Sequence, residues 1–189
     1  MRTAITVLCL TIVTALPGRA GVRPLVTFNG GPAKTIGPLT SAWRPGWTAG
    51  GNFMARFGKP VSFGVRGSLN RFTWKGNKRI EGTDSTAYHQ EAMNIVEIFG
   101  VLRAIYEVDE DLLLFLQGAG GLDLIMNSTR VERRWNPYTT RTTDNHYGMN
   151  VGLGADIGFF EVGLLYHAVF DPNQTIGWVS LFGGLKLHY

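Results

Sequence analysis

Apolar and polar residues alternate along most of the chain after residue 20. Between Phe159 and Phe170, every second residue from Phe160 is apolar or aromatic, and Glu161 and His167 fall on the opposite face. A period of two is typical of a β-strand with one apolar face. The alternation predicts eight strands, at about residues 24–30, 47–57, 61–74, 91–106, 112–126, 146–155, 159–170 and 178–189.

The connections between these strands differ in length. Three are short, at residues 58–60, 107–111 and 156–158, and four are longer, at 31–46, 75–90, 127–145 and 171–177. Long strands with short turns at one end and long loops at the other are typical of barrels that cross a bacterial outer membrane, with both termini in the periplasm. The pattern therefore predicts an all-β fold, an eight-stranded antiparallel up-and-down transmembrane β-barrel.

Aromatic residues concentrate at both ends of the predicted strands. Phe57, Tyr106, Phe159 and Tyr189 are expected at the short-turn end, and Trp47, Trp74, Tyr147, Phe170 and Trp178 at the long-loop end. Two such rings are the usual aromatic girdles at the membrane–water interfaces.

The final strand has one apolar face and ends on an aromatic residue. Tyr189 is last, Leu187 lies two residues before it and Gly184 five before it. This ending resembles the C-terminal assembly signal of bacterial outer-membrane β-barrels, although Phe182 stands where that signal usually has a polar residue. The resemblance implies that the barrel assembly machinery is a partner of this strand.

A wider resemblance covers residues 21–189. The segment from Phe63 to Phe72, after a Gly-Lys-Pro turn, resembles the third strand of the OmpA/OmpX-like outer-membrane β-barrel family. Membership implies an antiparallel meander closed on itself, located in the bacterial outer membrane and surrounded by membrane lipid and lipopolysaccharide. Members include adhesins, tethers, assembly factors and a few lipid-modifying enzymes, so the resemblance does not assign a function.

Residues 1–20 have the pattern of a cleaved secretory signal peptide. Arg2 precedes an apolar stretch that is too short to span a bilayer as a helix, and small residues precede the expected cleavage site after Ala20. Without Arg2 and Arg19, the 18 basic residues fall to 16 against 14 acidic ones, a balance that does not favour nucleic acid as a partner. The predicted domains are thus a signal peptide, 1–20, and a barrel, 21–189.

The face opposite the apolar stripe carries charges that are costly in lipid and are therefore expected in the barrel interior. This predicted charge network is Arg56, Arg66, Glu97, Arg103, Asp123, Glu161, His167 and Lys186. An eight-stranded barrel is only wide enough for side chains to fill it. The favoured interpretation is a plugged, polar lumen, and a narrow gated channel is the alternative.

Catalysis is not expected from the sequence. Some outer-membrane lipid A deacylases use a histidine with a serine two residues later, but Val169 occupies that position relative to His167. Without a hydroxyl the imidazole has nothing to activate, and Glu161 is its expected partner. The histidines have no metal-ligand spacing, and no metal or cofactor is predicted. A lipid A-modifying enzyme and a soluble lipocalin-like barrel are the weaker alternatives.

The third long loop, residues 127–145, is basic and aromatic. Its candidate binding residues are Arg130, Arg133, Arg134, Trp135 and Tyr138. Guanidinium groups above an anionic lipopolysaccharide surface are suited to phosphate groups or to a surface ligand. The sequence thus predicts a structural or surface-interaction role.

Overall fold

The computed structural model describes residues 22–57, 60–75, 80–81, 87–132, 138–172 and 174–188. The strands are β1 (Val22–Ile36), β2 (Gly46–Phe57), β3 (Val61–Thr73), β4 (Ile80–Glu81), β5 (Ala87–Glu107), β6 (Leu112–Glu132), β7 (Tyr138–Ile157), β8 (Phe160–Phe170) and β9 (Thr175–His188). A short 3-10 helix, Gly37–Ser41, follows β1. Within these residues, no helix has the length and apolar character needed to cross a membrane.

All strands except the two-residue β4 form a closed antiparallel ring. Neighbours along the chain pair with each other, β3 pairs with β5, and β1 pairs with β9. Following the paired residues once around the ring from Leu25 leads back to β1 at Thr35, so the strands are staggered and tilted as barrel closure requires. The predicted eight-stranded up-and-down barrel is confirmed.

Several predicted strand bounds are wrong at the long-loop end. The first strand runs to Ile36 instead of ending at residue 30. The predicted loop 127–145 is mostly strand, because β6 continues to Glu132 and β7 begins at Tyr138. Most of this segment is polar, so apolar alternation does not reveal it. Strands β6 and β7 have 21 and 20 residues, and their hairpin extends beyond Tyr147, where the pairing of β7 with β8 begins.

The outer surface of the ring is apolar and the inner surface is polar. Along β8, Phe160, Val162 and Leu164 are exposed, whereas Glu161 and His167 are fully buried. A soluble barrel has the reverse arrangement, with an apolar interior and a polar exterior. The burial pattern is therefore that of a membrane barrel, in which the apolar band faces lipid.

Aromatic side chains mark both rims of the apolar band, with one correction. Tyr106 and Phe159 are exposed at the short-turn end, and Tyr147 and Phe170 at the other. Trp178 does not belong to the girdle, because it lies on the inner face of β9 and is 0% exposed. Trp47 is exposed and Trp74 is half-buried. The side chains of Phe57 and Tyr189 lie outside the described residues.

An apolar cluster fills the barrel interior at its long-loop end. It is built around Phe72, Ile95, Val169 and Trp178, with further contributions from several strands. Trp43, from the segment after the 3-10 helix, joins this cluster and packs edge-on against Trp74, with ring centroids 5.0 Å apart. We call it the apolar cap. Charged side chains lie below it.

Candidate functional site

The polar interior is the candidate site, since alternate residues of every strand point into it. Seven of the eight predicted network residues are buried there: Arg66, Glu97, Arg103, Asp123, Glu161, His167 and Lys186. Arg56 lies at the short-turn mouth, where its Nη2 is 2.7 Å from Glu107 Oε1. Five of these buried residues belong to a lower and an upper group with different partners, and Arg66 and Asp123 belong to neither group.

Arg103 is the centre of the lower group. Its guanidinium lies 2.6 Å from Glu161 Oε2 and donates to Gln117 Oε1 at 2.9 Å. The same group lies over the ring of Phe115, 3.9 Å from its centroid. Cation–π stacking and charge-assisted hydrogen bonds together hold Arg103 across the barrel.

Asp156 completes the lower group, and sequence reasoning missed it. Its Oδ2 lies 3.1 Å from Lys186 Nζ and its Oδ1 lies 3.9 Å from Arg103. The prediction had placed Asp156 in a turn, but it is the next-to-last residue of β7 and points inward. Two cations thus face two carboxylates, and the lower group is electrically balanced.

His167 is the centre of the upper group. Its Nδ1 is 2.6 Å from Glu97 Oε1, and its Nε2 is 2.9 Å from Ser180 Oγ. Ser68 donates to the other oxygen of Glu97. The imidazole stacks on Trp178, with ring centroids 4.7 Å apart and planes 10° from parallel.

The expected pairing of His167 with Glu161 is wrong. Both residues lie on the inner face of β8, but six residues along a strand separate them by roughly 20 Å. Glu161 forms an ion pair with Arg103, while His167 contacts Glu97 on β5, across the barrel. Same-face position on one strand therefore did not identify the partner.

Ser180, Glu97 and His167 are connected like a Ser–His–acid triad. The nucleophile–base and base–acid distances are within the range of such triads. The argument that no hydroxyl is available to His167 is wrong, because β9 supplies Ser180. However, all three residues are 0% exposed, and the apolar cap lies beyond them. The described residues therefore enclose the Ser180 hydroxyl.

Arg66 and Asp123 are buried with fewer partners. Arg66 donates to Asn52 Oδ1 at 3.4 Å, and Asn52 in turn donates to Thr27 Oγ1 at 2.7 Å. Neither carboxylate oxygen of Asp123 has a hydrogen-bond partner among the described residues. The Asp123 side chain occupies the space next to Gly148, where an added Cβ would lie 1.7 Å from Oδ2.

Replacing Gly148 with alanine is expected to destabilise the barrel by about 1–3 kcal/mol, because the new methyl group collides with the Asp123 carboxylate. Urea titration of the protein refolded into phospholipid vesicles measures this change. Gly118→Ala is the matched control, since its added Cβ meets nothing within 4 Å. Equal stabilities for the two variants would contradict the placement of Asp123 against Gly148.

The predicted surface residues are only partly described. Arg130 is exposed on β6, and Tyr138 is 45% exposed at the start of β7. Arg133, Arg134 and Trp135 lie outside the described residues. Arg130 lies opposite Thr139, and Arg141 opposite Ser128, so both arginines project from one face of the β6–β7 hairpin.

A cleft of about 760 Å³ lies at the base of this hairpin face. Its lining includes Arg71, Asn94, Ser128 and Arg141, together with Glu91. Ser128 donates to Glu91 Oε2 at 3.4 Å. Arg71 is the register partner of Trp47, an exposed aromatic of the upper girdle. The cleft therefore places basic groups at the height of the aromatic girdle at the long-loop end.

The predicted assembly signal lies on the strand that closes the ring. Leu187 is 42% exposed on the lipid-facing side of β9, and Tyr189 lies outside the described residues. At Gly184 an added Cβ would lie 2.3 Å from the Phe28 carbonyl oxygen. The close approach of β1 and β9 thus provides a packing reason for glycine at this position.

No protein-family model matches this chain, and no curated protein matches it. Among solved structures, Neisserial surface protein A matches with a TM-score of 0.56 and 15% identity over 90% of this chain and 100% of that one. The attachment invasion locus protein Ail of Yersinia pestis gives 0.47 and 13%, covering 88% and 97%. The N-terminal barrel domain of Pseudomonas aeruginosa OprF gives 0.45 and 8%, covering 86% and 97%. The first of these similarities shows the fold.

Proposed function

We propose that this chain, which has the fold of the small eight-stranded outer-membrane β-barrels, is an integral protein of the bacterial outer membrane that acts at the cell surface without catalysis. In this proposal a signal peptide directs its export, and the lumen is closed to ions. The observation that carries the proposal is an interior filled with charges paired across the barrel, beneath an apolar cap.

Closure of the lumen is supported by the lower group. Arg103, Glu161, Asp156 and Lys186 contact one another from β5, β8, β7 and β9, so they bridge the lumen instead of lining an open path. The apolar cap adds a second barrier, since ions are poorly solvated there. A barrel of this size has little space left once its side chains are packed.

Planar-bilayer recording tests closure directly. The refolded barrel, verified by its heat-dependent mobility on SDS gels, is expected to insert without producing conductance steps. Reproducible, ion-selective steps would overturn the proposal in favour of a gated channel. A variant with Arg103→Ala and Lys186→Ala removes both cations of the lower group. It tests whether any conductance depends on the lower group.

Ser180 is expected not to react with a fluorophosphonate probe in the folded barrel, because burial keeps the probe from the hydroxyl despite the triad-like contacts. Mass spectrometry of the intact protein measures the adduct, and Ser180→Ala is the control. Labelling that disappears in Ser180→Ala would contradict the absence of catalysis, as would a changed lipid A mass in cells that express the wild type but not this variant.

The surface role is supported by the β6–β7 hairpin and its basic face. Residues 138–146 of β7 extend beyond its pairing with β8, so they present backbone hydrogen-bonding groups and side chains at the long-loop end. Arg130, Arg141 and Arg71 give that side a positive character suited to lipopolysaccharide phosphates or another anionic surface ligand.

Binding to heparin, used as a generic anionic polymer, is expected to weaken several-fold in the double variant Arg130→Ala, Arg141→Ala and to fall with added salt. Affinity chromatography of the refolded barrel measures the salt at elution. The control Lys34→Ala, Arg44→Ala removes the same charge from exposed positions at the same end of the barrel. Equal losses in both variants would indicate a net-charge effect and contradict a site on the hairpin.

A further inference from the structure

The short-turn mouth of the barrel contains a cavity of about 690 Å³, which we call the mouth cavity. Strands β1, β2 and β9 contribute Arg23, Arg56 and Lys186 to its lining, and the β5–β6 turn contributes residues 107–111. This volume is typical of sites that hold small molecules. Lys186 also belongs to the lower group, so the cavity ends where the closed lumen begins. A ligand in it does not have to cross the lumen.

Two arginines lie side by side on one wall of the mouth cavity. Arg23 is the direct register partner of Arg56, and like charges opposite each other on neighbouring strands repel. Glu107 neutralises Arg56 at 2.7 Å. Arg23 is exposed, and its guanidinium has no ion pair among the described residues. Its planar set of donors is suited to a carboxylate.

Acidic residues of the β5–β6 turn line the same cavity. Asp109 is occupied, because its Oδ1 accepts from the backbone N–H groups of Asp111 and of the next residue, both at 2.9 Å. Glu110 and Asp111 are exposed, and their carboxylates have no partner within the described ranges. The N–H of Gly158 donates to the Asp111 carbonyl oxygen at 2.9 Å and holds the turn in place. Since β1 and β6 are four strands apart in the ring, Arg23 faces these two acids across the mouth.

We propose that the mouth cavity binds the end of a short peptide that carries a free C-terminal carboxylate and an ammonium group. Arg23 donates to the carboxylate, and Glu110 and Asp111 accept from the ammonium group. The two acids disfavour a purely anionic ligand, and a purely cationic ligand leaves Arg23 without a counter-charge. This site lies at the end opposite the β6–β7 hairpin. It is therefore additional to the proposed surface role and does not depend on it.

NMR titration of the nitrogen-15-labelled barrel in a non-ionic detergent tests this site. The probe is the dipeptide lysyl-alanine, at low ionic strength because salt screens exposed charges. Two matched peptides each lack one kind of group: lysyl-alaninamide has no carboxylate, and acetyl-norleucyl-alanine has no ammonium group. The probe is expected to shift the amide signals of residues 107–111 saturably and to bind roughly threefold more tightly than either matched peptide. No saturable shift at these residues, or equal affinities for the three peptides, would overturn the proposal.

Variants assign the two ends of the ligand. Arg23→Gln should abolish only the preference for lysyl-alanine over its amide, and Glu110→Gln with Asp111→Asn only the preference over acetyl-norleucyl-alanine. Lys34→Gln, which removes an exposed charge at the long-loop end, should retain both preferences. A preference that survives the loss of its own charged residue contradicts the assignment.

Glycerophosphoethanolamine distinguishes a lipid headgroup from a peptide, because it carries a phosphate and an ammonium group but no carboxylate. It is expected to bind more weakly than lysyl-alanine and to compete with it for the same signals. Tighter binding of glycerophosphoethanolamine would overturn the peptide site in favour of a lipid site.

Discussion

Replacing Arg103 with methionine is expected to lower the free energy of unfolding by about 3–5 kcal/mol, because it leaves a buried carboxylate without its counter-charge. Glu161 is 0% exposed, and its Oε2 depends on Arg103 at 2.6 Å. Among the described residues, its other hydrogen bond is the one that Asn29 donates to Oε1 at 3.3 Å. Methionine retains much of the side-chain length and can still pack against Phe115, so the loss is mainly electrostatic.

A double variant separates the missing charge from the altered packing. Arg103→Met with Glu161→Gln removes both members of the pair and leaves Lys186 to face Asp156. Since replacing a whole buried ion pair is often close to neutral, the double variant should recover most of the lost stability. Urea titrations in phospholipid vesicles, followed by tryptophan fluorescence, measure the free energy of unfolding of the wild type, the two single variants and the double variant.

Arg56→Met is the matched control for a pair at the surface. Arg56 and Glu107 are 2.7 Å apart, almost the distance in the buried pair, but their side chains are 16% and 36% exposed. Solvent screens this pair, so its loss should cost only about 0–1 kcal/mol. If Arg103→Met costs no more than Arg56→Met, the lower group does not hold the barrel together as described.

The bilayer explains why the fold could be predicted from sequence. A strand between lipid and a polar lumen must alternate, and the alternation of Phe160, Val162 and Leu164 with Glu161 and His167 records this directly. Beyond the membrane both faces of a strand contact water, and the constraint disappears. The polar segment Tyr138–Asn145 therefore has no apolar stripe, although it is part of β7.

Partners inside the barrel depend on the register and stagger of eight strands, which alternation does not specify. Glu97 and His167 are 70 positions apart and come together because the ring closes. Trp178 was expected in the girdle because of its place near a strand end. Trp178 is two residues from the inward-facing Ser180 on the same strand, and this spacing was the available signal that Trp178 also points inward.

Replacing Leu164 with arginine is expected to destabilise the inserted barrel by about 2–4 kcal/mol, the cost of a lipid-facing cation near the bilayer midplane. Leu164 is 45% exposed on the outer face of β8, between the rim residues Phe160 and Phe170. It belongs to a row of register partners with Leu153 and Leu181 on the neighbouring strands. Urea titration in vesicles measures the effect.

Phe159→Arg controls for the arginine itself. Phe159 is 71% exposed at the short-turn rim, where a long cationic side chain can reach the interface, and the expected cost falls to about 0–1 kcal/mol. A soluble barrel would respond differently, because an added surface arginine at Leu164 would contact water. If both variants are as stable as the wild type, the outer band is not in contact with lipid. A cost that depends on depth shows that the bilayer is the solvent for this face.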